Sequence, residues 1–109
     1  MLKFEYNAYE KVLTCFFTGW LDTNASIILS NEMEEKIRTM KSRDNLPKLP
    51  DEKIIFDLKE VSYISSSFIR ICVSTAKQVQ TGNFSIINCD PMIKKTFKIV
   101  GLDKLLNIT

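Results

Sequence analysis

Residues 2–6, LKFEY, alternate apolar and polar side chains, the period-two pattern of a strand with one face on a core. Residues 7–10, NAYE, supply a turn, and residues 12–19, VLTCFFTG, form a second β-rich run closed by Gly19, so the two predict a β-hairpin. The period then changes. In residues 23–41 Leu29, Met33, Ile37 and Met40 recur at helical spacing, while Glu32, Glu34, Glu35, Lys36 and Arg38 take mostly the other faces. Asp22, Thr23 and Asn24 offer capping oxygens at the start of this helix. Residues 42–52, SRDNLPKLPDE, read as a solvated loop punctuated by Pro47 and Pro50.

Residues 53–58, KIIFDL, are short, apolar and β-branched, which predicts a central strand buried on both faces. Residues 66–80 predict a second helix with an apolar stripe of Ile69, Cys72, Val73, Ala76 and Val79, and TGN at 81–83 breaks it. Residues 84–89, FSIINC, are a further strand. Asp90-Pro91 is a helix start, a capping carboxylate followed by proline at the first helical position. Ile93, Phe97 and Val100 are that helix's inner stripe, Gly101 ends it, and residues 102–108 close the chain as a short piece of helix or strand. The order is β-β-α-β-α-β-α. The fold class is therefore α/β: residues 1–109 form a single domain, a mixed sheet of four to five strands with helices packed on it.

Composition narrows the function. With 109 residues, 45% hydrophobic and 26% charged, the chain has ordinary globular make-up and room for one core. A net charge of +2 calls for neither nucleic acid nor an anionic membrane as a partner. No apolar run reaches membrane length, and the N-terminus is polar where a signal peptide is apolar, so the expectation is a cytoplasmic protein without membrane insertion. Cys15, Cys72 and Cys89 are far apart, each in an apolar segment, and read as free buried thiols. Without histidine or a CxxC pair, no structural zinc site and no cofactor are expected.

The candidate chemistry lies in YISSSFIR, residues 63–70, where a strand hands over to a helix through Ser65, Ser66 and Ser67. A serine hydrolase needs a base, and the chain has neither histidine nor a GxSxG elbow. A phosphate-cradling loop needs glycine, and none lies between residues 20 and 81, so the chain is not expected to be an enzyme. One serine, Ser65 or Ser66, suffices as an N-cap worth about 1 kcal/mol. The remaining hydroxyls suit a covalent switch. Phosphorylation would add about −1.5 to −2 charges at the favourable end of a helix dipole. The fold tolerates that, whereas a docked partner presenting acidic or apolar groups does not.

Four segments resemble the STAS domain family, whose best-known members are bacterial anti-sigma factor antagonists. GWLDTNAS at 19–26 looks like the family's segment before its first helix, with Trp20 in place of an acid. IIFDLKEVSYISSSFIRICVS at 54–74 is similar to its central strand and switch loop. GNFSIINC at 82–89 resembles the next strand, and PMIKKTFKIVGLDKLLNI at 91–108 its terminal helix and Gly-Leu-Asp pattern. The resemblance implies a transcription regulator that binds a kinase-like anti-sigma factor when unphosphorylated and lets go once that serine kinase has phosphorylated it. It places Ser65 at the motif's aspartate, Ser66 at the phosphate acceptor, Ser67 at the second hydroxyl and Phe68 at the glycine. Ser65 and Ser67 are secondary acceptor candidates. An alternative is an unphosphorylated scaffold or subunit of a multi-protein or transporter complex, with the serines acting as caps.

Partner-binding candidates are Asp22, Ser65, Ser66, Ser67, Phe68, Arg70 and Ile71. Asp22 is expected near Ser66, or as the cap of the first helix alone. Arg70 suits an acid on a partner, or is a solvated helix residue. Phe68 stands where glycine permits close approach, so its ring either blocks a partner or offers it an apolar contact. With Ile71 it lies off the predicted inner stripe. The pair reads either as an exposed docking face or as packing on the loop after Gly19, with Trp20 as a candidate neighbour. Lys94, Lys95 and Lys98 read as a solvated face.

Overall fold

The alternating first segment forms β1, Leu2–Asn7, which pairs antiparallel with β2, Val12–Leu21, with Phe4 opposite Cys15. The structure, a computed structural model, describes residues 1–41 and 48–109. The hairpin lacks an Asn-Gly turn. Asn7 closes it instead, its side-chain oxygen accepting the Glu10 N–H at 3.0 Å, and Lys11 takes a positive φ of 57°. The first helix, α1, spans Thr23–Lys41 as its periodicity predicts, with Leu29, Met33 and Ile37 buried and Met40 half-buried.

β3, Lys53–Ile64, runs parallel to β2, and β4, Phe84–Ile87, runs parallel to β3, giving the sheet order β1-β2-β3-β4. Between β3 and β4 lies α2, Ser66–Ala76; after β4 comes α3, Pro91–Ile99. The crossovers through α1 and α2 step the same way across the sheet, so right-handed connections lay both helices on one face. Burial follows. Leu13, Cys15 and Phe17 of β2, Ile54, Phe56 and Leu58 of β3, and Phe84 and Ile86 of β4 are all buried. Their neighbours Thr14, Phe16, Ile55, Asp57, Ser85 and Ile87 are half-buried. β3 is therefore not a strand buried on both faces, as its apolar run predicts. One face is packed and the other is partly open.

Other boundaries also move. β3 extends six residues past the predicted end, because the neighbouring β2 continues to Leu21 and keeps it paired. α2 stops at Ala76 rather than at residue 80. Leu49 donates its N–H to the Gln78 carbonyl at 2.8 Å and bridges Val79, so tertiary pairing claims the chain that would prolong the helix. β4 ends two residues early, at an Asn88 with φ of 57°. The expected loop at 42–52 lies outside the described residues up to residue 47. The closing segment is neither helix nor full strand. It turns back so that Ile108 bridges Ile86 on the free edge of β4.

The core centres on four rings. Phe17 packs edge-on against Phe56 at 4.7 Å and against Phe68 at 5.1 Å, and Phe56 meets Phe84 at 4.9 Å. Phe68 thus ties α2 to β2 and β3. Burying such a ring contributes about 1.5–3 kcal/mol, and the edge contacts add about 0.5–1.5 kcal/mol each.

Candidate functional site

Two register slips between β2 and β3 build the end of the sheet where the serines lie. One falls between Phe16 and Thr18, the other between Gly19 and Trp20, where Gly19 adopts a φ of 101° that a side chain resists. Such bulges re-aim the residues that follow. Here they set Trp20 opposite Tyr63 and Leu21 opposite Ile64. The Ser65 N–H then donates to the Leu21 carbonyl at 2.9 Å.

Ser65 is the cap of α2. Its φ of −97° and ψ of 168° are extended, and its Oγ accepts the Phe68 N–H at 3.2 Å. It is buried, and its Oγ also lies 3.3 Å from Ser26 Oγ on α1 in a hydrogen bond. Asp22 caps α1, with Oδ1 accepting the Ala25 N–H at 2.8 Å. Because Asp22 follows Leu21, the caps of α1 and α2 are held side by side.

Ser66 is the first residue of α2 and is exposed. Its hydroxyl bonds to no other described residue. Ser67 is half-buried and lines a groove of about 740 Å³ between α1 and α2, together with Ser26, Met33, Ile37, Arg70 and Ile71. Arg70 is exposed, one helical turn after Ser66, and has no acid partner among the described residues. The three adjacent serines thus have three surroundings: a buried cap, a free hydroxyl and a groove wall.

Phe68 and Ile71 correct the expected exposure. Phe68 is 0% exposed in the ring cluster, and Ile71 is buried at the floor of the groove. The inner stripe of α2 is Phe68, Ile71, Cys72 and Thr75, whereas Ile69, Val73 and Ala76 are half-buried. Both sets have helical spacing, and the sheet's aromatic cluster decides between them. The Phe68 ring neither blocks a partner nor greets one. It supports the serine loop from beneath.

Sequence reasoning missed a surface pair. Trp20 and Tyr63 stack with centroids 4.5 Å apart and planes 15° from parallel, yet remain 61% and 40% exposed. They share the serine end of the sheet. Each is visible as an aromatic near a strand end, but only the two bulges make them neighbours.

Burial pushes the Cys15 thiol up to about 12 and Cys89 up to about 11, the latter helped by nearby Asp90. Burial raises Cys72 as well, with Cys89 adding to the effect. Cys89 is half-buried rather than buried as expected. Among the described residues no group of three or more histidine, cysteine or acidic side chains is placed to hold a metal, and no helix is long and apolar enough to cross a membrane.

The STAS domain family model matches residues 3–109. Comparison with curated protein sequences gives no match. Among solved structures, the chain is similar to the Bacillus cell fate determinant SpoIIAA in its phosphorylated form, at TM-score 0.63 and 15% identity, covering 100% of this chain and 91% of that one. It is similar to the anti-sigma factor antagonist SpoIIAA in its unphosphorylated form, at TM-score 0.61 and 16% identity, over 91% of this chain and 83% of that one. The murine Solute Carrier 26 family member A9 anion transporter, in its inward-facing state, is also similar, at TM-score 0.59 and 13% identity. That match covers 91% of this chain but 16% of the transporter.

Proposed function

The chain belongs to the STAS domain family, and from that premise we propose that it is a cytoplasmic regulatory module that docks a kinase-like anti-sigma factor and is switched by phosphorylation of Ser66. One observation carries the reading. Of the three serines, Ser66 alone joins an exposed, unbonded hydroxyl to the first position of a helix whose cap is already supplied by its neighbour. Phosphate added there leaves the cap intact. It also meets the positive end of α2, which the Ser65–Leu21 and Ser65–Ser26 bonds hold beside the Asp22-capped start of α1.

Arg70 makes the switch two-way. In the unmodified protein its guanidinium is free to pair with a carboxylate of the partner. Phosphate on Ser66, four residues earlier on the same helix, competes for that guanidinium at the spacing where side chains meet. Phosphorylation then adds repulsion and removes an attraction at once. The docking set is Asp22, Ser66, Ser67 and Arg70, with Trp20 and Tyr63 as an exposed aromatic anchor of the kind that dominates protein interfaces. Phe68 and Ile71 support that surface from the core. Ser65 is too enclosed to be an acceptor.

Incubation with the cognate kinase and ATP, followed by mass spectrometry, is expected to find phosphate on Ser66. Binding of the partner is expected to survive Ser66→Ala and to weaken at least tenfold in Ser66→Asp, with Arg70→Gln weakening it in the unmodified protein. Absence of phosphate from residues 65–67 sinks the switch. Equal binding by Ser66→Ala and Ser66→Asp favours a constitutive scaffold of the same fold.

A further inference from the structure

The chain's net charge of +2 is concentrated at one place. Residues 90–109 hold Lys94, Lys95, Lys98 and Lys104 against Asp90 and Asp103, which accounts for the whole excess; the preceding 89 residues are neutral. Asp90 is occupied locally, its carboxylate accepting the Met92 N–H at 2.8 Å as the cap of α3. None of the four lysines has an ion pair among the described residues. Lys94 and Lys98 stand between two shallow depressions, sharing one with Lys95 and Ile99 and the other with Lys104 and Asp103.

Apolar side chains project from the same region. Met92 is 71% exposed and Ile99 75%, and seven residues apart they form one stripe on the outer side of α3, next to Lys95. Val100, predicted for the inner stripe, is exposed instead, because the helix ends and Val100 is its C-cap. Leu105, just beyond, is exposed as well. The opposite side of α3, Ile93 and Phe97, is anchored in the core. A firmly seated helix therefore presents lysines and protruding apolar side chains together.

We infer that α3 and the turn after it form a peripheral docking surface for an anionic lipid bilayer. Such a bilayer meets both halves of the surface. Acidic headgroups attract the lysines, and the boundary with the acyl chains accepts Met92 and Ile99. Nucleic acid satisfies the charge but leaves the apolar stripe in water. The surface lies on a different helix from Ser66, so membrane contact and partner docking are separate properties of this domain.

The test is sedimentation of the 109-residue chain with phosphatidylcholine vesicles, with and without phosphatidylserine, at low and moderate salt. Binding is expected only with phosphatidylserine and is expected to fall as salt rises. Lys94→Gln/Lys98→Gln is expected to weaken it roughly tenfold or more, and Met92→Ser/Ile99→Ser several-fold, with circular dichroism unchanged because all four residues are exposed. No sedimentation with phosphatidylserine overturns the inference. So does binding that is indifferent to both double variants, binding that responds to the lysines but not to Met92 and Ile99, competition by inorganic phosphate at constant ionic strength, or capture by an acidic polypeptide in place of vesicles.

Discussion

The starts of α2 and α3 use the same local device in different surroundings. Each helix has a capping oxygen one residue before it: Ser65 Oγ accepts the Phe68 N–H, and Asp90 Oδ1 accepts the Met92 N–H. Each leaves its first helical residue, Ser66 or Pro91, exposed and buries its third, Phe68 or Ile93. Beyond that they diverge. The cap of α2 is neutral, buried and bonded to α1 and to the end of β2, whereas the cap of α3 is a charged, exposed carboxylate. The second residue of α2 is Ser67 in a groove wall; that of α3 is Met92, projecting outward.

The difference teaches what a cap can be used for. At α3 the carboxylate satisfies the helix end and complements its dipole, so nothing further is wanted there. At α2 a neutral hydroxyl accepts one N–H, that of Phe68, and brings no charge of its own to the positive end of the dipole. That is the favourable setting for a charge added one residue later.

Truncating a large apolar side chain in the first turn of each helix, buried in α2 and exposed in α3, gives the largest contrast. Phe68→Ala is expected to destabilise the protein by about 3–5 kcal/mol, since it empties the centre of the ring cluster. Met92→Ala is expected to stay within about 0.5 kcal/mol. Urea unfolding measures both, and a small loss for Phe68→Ala would refute the claim that α2 is held from beneath. The caps come next. Ser65→Ala and Asp90→Ala each remove about 0.5–2 kcal/mol, and Ser65 is expected at the upper end because its removal also strips the buried Ser26 hydroxyl of a partner. The reverse order would show that burial of the α2 cap adds nothing.

The smallest effect separates the thiols beside the two starts. Cys72 on α2 is buried and Cys89, just before α3, is half-buried. Alkylation of the native protein at mildly alkaline pH is therefore expected to label Cys89 slowly and to spare Cys72 and Cys15. Burial holds the folded-state thiols above their unfolded value, so the unfolded chain ionises first. Stability is full below about 8.5 and falls as pH rises toward the folded values of about 11 for Cys89 and about 12 for Cys15. Stability that stays flat up to pH 10 would contradict this.

Much of the fold is legible in local pattern. The hairpin, the full length of α1, the order of elements and the Asp90-Pro91 start follow from period, capping chemistry and proline geometry, all decided within a few residues. The four segments resembling STAS domains also lie in the sequence, and with them the importance of residues 63–70. The faces of α2 are not legible. Phe68, Ile71, Cys72 and Thr75 compete with Ile69, Cys72, Val73 and Ala76 at the same helical spacing, and only the shape of the sheet beneath selects the first set.

The kind of fold and the neighbourhood of the site thus follow from local pattern, because period and capping are short-range properties. The surroundings of each residue there depend on long-range packing. Two bulges placed Trp20 against Tyr63, long-range hydrogen bonds enclosed Ser65, and an aromatic cluster drew Phe68 inward. Packing also left Ser66 exposed and gathered lysines with protruding apolar side chains on α3. Those outcomes depend on which strands meet and in what register, and contacts between residues 39 or more positions apart leave no mark in any local window.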